Sequence, residues 1–152
     1  MSERIKDRAA WLEAIIKKFI NESPENSLKN EQNEKAWADP LVGFSKGDDL
    51  LYQEFKEHIG GFHWTPLEIF AKTFPWLKVT SDQLTVISWI LPQTTTTKSD
   101  NRKQIVYPSE RWARARIYGE EVNKKLCQHV VAALQEAKYE AVAPMLSPFW
   151  ET

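Results

Sequence analysis

Apolar residues recur about every 3.6 positions near the start of the chain, at Ile5, Leu12, Ile15, Ile16, Phe19 and Ile20. A repeat with this period places one side of a helix against a core. It predicts an amphipathic helix over residues 2–21 that ends at Ser23-Pro24, because a residue before proline disfavours helical backbone. Residues 22–38 are polar and have no period, so we expect a loop or mobile linker there, without a functional role.

Two short helices are predicted next. Asp48 and Asp49 precede a segment that ends at Gly60-Gly61, and a helix there would be capped by an aspartate and terminated by glycine. We expect this helix to turn its apolar residues inward, namely Leu50, Leu51, Phe55 and Ile59. Residues 65–68, Thr-Pro-Leu-Glu, have the form of a capping box with proline at the first helical position, which predicts a helix to about Thr73, stopped by Pro75.

The C-terminal half alternates between strand and helix patterns. Residues 83–91 (QLTVISWIL) are apolar on both faces, as in a strand buried in the middle of a sheet, and residues 93–107 read as a polar loop. A long helix follows over residues 109–137, with Ser109 as its cap and an inward stripe of Trp112, Ala115, Gly119, Val122, Leu126, Val130 and Ala133. Residues 139–146 read as a second buried strand.

Strand, long helix and strand in this order predict a right-handed crossover between parallel strands. The fold class is therefore α/β, with α+β as the alternative, and the helices pack on a small sheet that is incomplete. At 152 residues the chain is expected to form a single domain: an N-terminal helix over residues 1–21, a polar linker over 22–38, and an α/β module over 39–152.

Charge is unevenly distributed along a chain whose net charge is -1. Residues 22–57 carry nine acidic and four basic side chains, whereas residues 98–125 carry eight basic and four acidic ones. The second segment could therefore meet an anion. The low net charge counts against nucleic acid as a partner of the chain as a whole.

The residues that chemistry usually needs are scarce. Cys127 is the only cysteine, which excludes an internal disulfide, a cysteine zinc site and a [4Fe-4S] cluster with four thiolate ligands. The three histidines, at positions 58, 63 and 129, lack the spacing of a helical metal pair. We predict no catalytic and no metal-binding residue. The chain also lacks a secretory leader and an apolar span, so we expect a cytoplasmic protein with no membrane partner.

The start of the long helix is the best candidate site. Exposed backbone N–H groups at a helix N-terminus favour anions, and arginine adds planar donors. Arg111, Arg114 and Tyr118 fall along one edge of the apolar stripe, Arg116 falls on the other, and Trp112 and Tyr118 could stack on a flat ring. The alternative is a solvated helix whose arginines pair with Glu110, Glu120 and Glu121.

Several stretches together resemble the N-terminal part of epoxyqueuosine reductase-like iron-sulfur proteins. The stretches are DPLVGFSKGDDLLYQEFKEHIG at 39–60, TPLE at 65–68, VISWILP at 86–92, YPSERWARARIY at 107–118 and AVAPMLSPFW at 141–150. The resemblance covers the chain from about Asp39 onward. It implies a relative of a cobalamin-dependent enzyme of queuosine tRNA modification, in which an N-terminal cobalamin-binding α/β region precedes a ferredoxin-like part with two [4Fe-4S] clusters.

The resemblance implies that Arg111, Trp112, Arg116 and Tyr118 contribute to a cobalamin site. It also has gaps. Ile117 and Gly119 stand where the reductase pattern has Asp and His around the tyrosine, and residues 143–147 lack the catalytic Asp. The C-terminal cluster domain has no counterpart here, so we expect no catalysis by the chain alone.

Three functions remain open. The first is the N-terminal module of such an iron-sulfur oxidoreductase, working with a cluster-bearing domain or a separate partner chain, and the unfinished sheet favours a truncation. The alternative is a stand-alone protein-interaction or dimerisation module without chemistry, forming a homodimer that covers the open sheet edge. A third, weaker candidate is an anion or nucleic-acid binder that uses residues 98–125.

Overall fold

The computed structural model describes residues 5–150, which form five α-helices and two strands. In chain order the elements are α1 (Arg8–Glu22), β1 (Leu41–Lys46), α2 (Leu50–Ile59), α3 (Pro66–Thr73), β2 (Thr85–Ile90), α4 (Thr95–Arg102) and α5 (Glu110–Glu136). Short 3-10 helices lie at Ser81–Gln83 and Pro144–Leu146.

Helix α1 follows its predicted pattern over most of its length. The Asp7 carboxylate accepts a hydrogen bond from the Ala10 N–H, which caps the helix and places its first residue at Arg8. Leu12, Ile16 and Ile20 are buried, as the apolar period requires. The predicted start at residues 2–4 lies outside the described residues.

The caps of α2 and α3 agree with their predicted positions. The Asp49 side chain accepts from the Leu51 N–H at the start of α2, and Gly60, at φ 145°, ends it. At α3, Thr65 and Glu68 form the reciprocal bonds of a capping box. The inward orientation predicted for the apolar residues of α2 is wrong, because α2 has no buried residue and its Leu50, Leu51, Phe55 and Ile59 are exposed.

The described part of the chain contains one sheet, of two antiparallel strands, β1 and β2. The predicted combination of helices with a small sheet is confirmed. Because the strands are antiparallel, the fold is the α+β alternative. The crossover is wrong, because residues 139–146 form no strand. Lys138 adopts φ 67° and ends the helical path of α5, and Pro144, which has no N–H to donate to a ladder, begins a 3-10 helix instead.

Helix α4 lies where a polar loop was expected. Its Thr94 hydroxyl accepts from the Thr97 N–H, and the Thr97 side chain is fully buried. The sequence of this helix, TTTKSDNR, has no apolar period, so the capping threonine was its only local signal.

Helix α5 confirms the predicted long helix. Ser109 is buried, and its hydroxyl accepts from the Trp112 N–H as a cap. The buried positions of the predicted stripe are Ala115, Gly119, Val122, Leu126 and Val130. They recur at intervals of three and four residues, so they share one side of the helix.

The segment between α1 and β1 is a loop, as predicted, but it is not a free linker. Leu28 and Ala36 are fully buried and pack with Ala115 of α5. The buried amide of Asn26 donates to the carbonyls of Ile20 and Trp37 and accepts from the Trp37 N–H. Two buried apolar side chains and the hydrogen-bonded amide of Asn26, rather than an apolar period, therefore hold this segment in place.

The chain divides into two compact units. The first comprises Met1–Val42 and Trp89–Val130, and the second comprises Gly43–Ser88 and Val131–Thr152. The candidate site lies entirely within the first unit. Among the described residues, no helix combines the length and apolar composition needed to cross a membrane.

Candidate functional site

The four predicted cofactor-binding residues lie in the first turns of α5 but do not face one surface. Arg111 and Tyr118 lie on the same edge of the helix, seven residues apart, and both contact other residues of the first unit. Arg116 is exposed and lies about 140° around the helix from Arg111, at 100° per residue. Trp112 is half-buried between these two directions.

Arg111 binds two carboxylates. Its Nε lies 3.1 Å from Oε2 of Glu34, and its Nη1 lies 3.3 Å from Oδ2 of Asp100. The hydrogen bond from Arg111 is the main cause that lowers the pKa of Glu34, and the same bond raises the pKa of Arg111. The guanidinium therefore joins the segment before β1 to α4, and its charge is already matched by two anions.

Arg114 has partners of two kinds. Its Nε donates to Glu110 one turn earlier at 2.8 Å, which is the helical pairing that the solvated-helix alternative predicted. Its Nη1 donates to the backbone carbonyls of Leu28 and Lys29, at 3.4 and 3.0 Å. A surface helix arginine thus also satisfies acceptors in the loop that packs beside it.

Lys29 covers the ring of Tyr118. Its ammonium lies 4.6 Å from the ring centroid and 2.9 Å from Oε2 of Glu121. The hydrogen bond to Glu121 is the main cause that raises the pKa of Lys29, and it lowers the pKa of Glu121. The aromatic face predicted to stack on a ligand therefore holds an ammonium from the same chain.

Gly119 provides a flat place on α5 for the indole of Trp37. The Trp37 Nε1–H donates to the Gly119 carbonyl at 3.0 Å, and a Cβ built on Gly119 would overlap the indole ring. The sequence departure noted at position 119 therefore has a structural reason, because any side chain there would displace Trp37.

Two open clefts flank the ion pair between Arg111 and Asp100. One, of about 340 Å³, is lined by Thr95, Thr96, Ser99, Asp100, Lys103 and Arg111. The other, of about 380 Å³, is lined by Asn30, Glu31, Gln32, Asp100, Glu110, Arg111 and Arg114. Both have polar walls, so neither offers the mostly apolar enclosure that is typical of a cofactor pocket.

The residues present do not fit a corrinoid in this arrangement. A corrin with its side chains needs a pocket near the upper end of the roughly 300–1,000 Å³ that ligand sites enclose. The two clefts are smaller and open, Arg111 is bound by carboxylates, and Arg116 lies on another side of the helix. Cobalamin binding by the chain stays a prediction from the resemblance.

An exposed apolar loop precedes α5. Ile105, Val106 and Tyr107 are 97%, 79% and 78% exposed, and we call these three residues the apolar tip. The base of the loop is fixed, because the Ser109 N–H donates to Oδ1 of Asn101 at 2.9 Å. The sequence interpretation missed this feature, although three consecutive apolar residues inside a polar stretch were its signal.

Basic side chains precede the apolar tip along the chain. Lys98, Arg102 and Lys103 are exposed, and they form no ion pair with any described residue. The acidic residues nearest in sequence, Asp100 and Glu110, are each bound by an arginine of α5. Residues 98–107 therefore combine exposed apolar side chains with positive charges that form no ion pair with any described residue.

The remaining candidates for chemistry within residues 5–150 are metal-ligating side chains and the thiol of Cys127. No group of three or more histidine, cysteine or carboxylate side chains there could hold a metal ion. Burial raises the pKa of the half-buried Cys127 thiol and so disfavours its reactive thiolate.

Comparison with known proteins does not assign the chain to a family. No family model matches the chain, and no match is found among curated proteins or among solved structures. The likeness to epoxyqueuosine reductase-like proteins therefore rests on the sequence stretches quoted above.

Proposed function

We propose that the chain is the N-terminal module of an epoxyqueuosine reductase-like iron-sulfur protein, and that it is not catalytically competent alone. It acts by docking to a cluster-bearing domain or a separate cluster-bearing chain. The observation that carries this proposal is the apolar tip, whose last residue, Tyr107, is also the first residue of the motif with the strongest resemblance to that family.

The shape and exposure of the tip support a docking role. Exposed large apolar residues are ordinary when they are scattered, but three in a row on a loop with a fixed base form a continuous patch. Such a patch loses little conformational freedom when a partner covers it, because its base is already ordered.

Charge supports a partner that carries a cluster. Four thiolate ligands give a [4Fe-4S] cluster a net negative charge, and the field of that charge reaches the surface above a shallow cluster. Lys98, Arg102 and Lys103, which precede the tip in the sequence and are exposed, have the complementary sign. The chain itself has one cysteine, so any cluster must come from the partner.

The test is anaerobic capture on the tagged chain from extract of the source cells, followed by assay of the captured protein for iron and acid-labile sulfide. We expect both to be retained, and to be lost when Ile105→Asp and Val106→Asp are combined. Ile117→Asp is the matched control, because Ile117 is also exposed in the first unit but lies outside the tip. Retention unchanged by the tip variant would contradict docking through the tip.

The mass of the purified chain, measured by light scattering, distinguishes this proposal from the alternative of a dimerisation module. A stable homodimer that the tip variant dissociates, with no iron or sulfide captured, would replace this proposal with a stand-alone dimerisation module. A monomer that captures an iron-sulfur protein would support the proposal.

A further inference from the structure

We propose that segment 26–37 is a built-in ligand of α5, and that it occupies the edge formed by Arg111, Arg114, Tyr118 and Gly119. An external anionic or flat-ring ligand, cobalamin included, then finds this edge filled. The proposal goes beyond docking by the apolar tip, which uses neither this edge nor this segment.

The segment supplies one carboxylate and two backbone carbonyls as acceptors for arginines that would otherwise be open to a ligand. The Glu34 carboxylate accepts from Nε of Arg111 through both oxygens, at 3.1 and 3.3 Å. Backbone carbonyls of Leu28 and Lys29 occupy Arg114. A carboxylate or phosphate from solution would have to displace acceptors that are held in the same fold.

The segment also supplies the stacking partners. The Lys29 ammonium lies on one face of the Tyr118 ring, and the Trp37 indole lies on the helix surface at Gly119. A glycine beneath an aromatic ring is the arrangement that admits a flat ligand close to a backbone. Here the flat group belongs to the chain itself.

The segment is not built as a lid that opens freely. Leu28 and Ala36 are fully buried, so lifting the segment would expose both to water. Glu34 is fixed from within the segment, since Asn30 donates to its carboxylate and accepts from its N–H. Opening would also leave the hydrogen bond from the Asn26 amide to the Ile20 carbonyl of α1 unmade, while the two bonds between Asn26 and Trp37 keep the segment closed on itself.

The first test is a titration of the intact chain with cobalamin, followed by the corrinoid absorption spectrum. We expect no saturable change. Saturable binding that is abolished by Arg111→Lys and by Tyr118→Leu, but not by Arg116→Lys on the other side of α5, would overturn the proposal. If cobalamin binds and none of these variants alters its affinity, then it binds elsewhere on the chain. The edge of α5 would still be filled by the segment, as proposed.

The second test is hydrogen exchange, which needs no ligand. The Leu28 N–H donates to the Glu34 carbonyl and the Trp37 N–H donates to Asn26, so both amides should exchange slowly. Glu34→Gln should speed their exchange by roughly threefold, as for loss of a partly exposed ion pair. Glu31→Gln removes an equal charge from an exposed position and should change nothing. Exchange of both amides at the rate of an open chain would refute the proposal.

Discussion

The two units of the chain stabilise their helices in different ways. The first unit encloses buried apolar side chains from α1, α5 and segment 26–37, at positions 12, 16, 20, 28, 115, 122, 126 and 130 among others. In the second unit the buried large apolar side chains of the described residues are Ile69, Phe74 and Leu134. Its α2 relies on polar contacts, with the Lys56 ammonium 2.7 Å from the Glu68 carboxylate.

Helix α2 shows what this difference teaches. Leu51, Phe55 and Ile59 recur every four residues, which is the same signature that buries one side of α1. In α2 that stripe is exposed, and the half-buried positions are Tyr52 and Lys56. A period in the sequence therefore indicates that a helix has an apolar side, but it does not indicate what that side contacts.

The largest expected effect separates a buried leucine of the first unit from an exposed one of the second. Leu126→Ala should lower the free energy of unfolding by about 2–5 kcal/mol, because it leaves a cavity at a fully buried position. Leu50→Ala removes a side chain that is 78% exposed and should cost less than about 0.5 kcal/mol. Urea unfolding followed by circular dichroism compares them, and similar costs would remove the contrast between the units.

Asn26→Ala should come next, at about 2 kcal/mol, because the variant leaves a buried carbonyl of Ile20 and half-buried backbone groups of Trp37 without partners. Asn21→Ala is the matched control, since Asn21 is exposed and its amide donates to an exposed carboxylate. The same unfolding assay applies. Equal midpoints for the two variants would mean that segment 26–37 is not fastened as described.

Gly119→Ala tests the contact beneath the indole. Alanine in a helix interior gains up to about 1 kcal/mol over glycine, but its Cβ would overlap Trp37, and overpacking costs about 1–3 kcal/mol. We expect a net loss of about 1 kcal/mol and a change in tryptophan fluorescence. Gly43→Ala, where an added Cβ meets nothing within 4 Å, should leave the fluorescence unchanged. A more stable Gly119→Ala would show that Trp37 does not pack there.

In the second unit, Thr65→Ala should cost about 1 kcal/mol by removing the capping box at α3. Thr65→Ser keeps the hydroxyl and should retain most of the stability. The urea midpoint of each variant decides, and an unchanged midpoint for Thr65→Ala would mean that the cap contributes nothing.

The smallest expected effect is on how the free energy of unfolding changes in acid. The hydrogen bond from Arg111 lowers the pKa of Glu34 from its ordinary 4.5. The stabilisation that this bond gives the folded state is therefore present above pH 4.5 and is lost as pH falls through the lower pKa of the folded state. Between about pH 5 and pH 3, Glu34→Gln should therefore lose less stability than the parent chain. Glu31→Gln should follow the parent. A parallel decline in all three proteins would exclude a role for the ion pair with Arg111.

Features with a local signal could be predicted from the sequence. The caps at Asp49, Thr65 and Ser109 are where their sequence patterns placed them, and so is the long helix α5. Helix α4 has no apolar period, and the apolar residues of 139–146 have no neighbouring strand to pair with, so pattern alone misled at both places.

The sequence placed Arg111 and Tyr118 on one edge of α5, but whether they bind a cofactor stays a prediction. Their partners Glu34 and Lys29 lie in the segment to which no function was given. The pair of Glu34 with Arg111 spans 77 residues and that of Lys29 with Glu121 spans 92. A contact between positions so far apart leaves no trace in local spacing, and a single sequence cannot show that the two positions depend on each other.

These long separations also have a consequence during synthesis. Segment 26–37 leaves the ribosome well before the part of α5 on which it rests, and the partner of Lys29 follows 92 residues later. At about 5–20 residues per second, that interval lasts roughly 5–20 s. Throughout it, Leu28 and Trp37 have no α5 to cover them, so these two side chains of the nascent chain are open to chaperones and to misassociation.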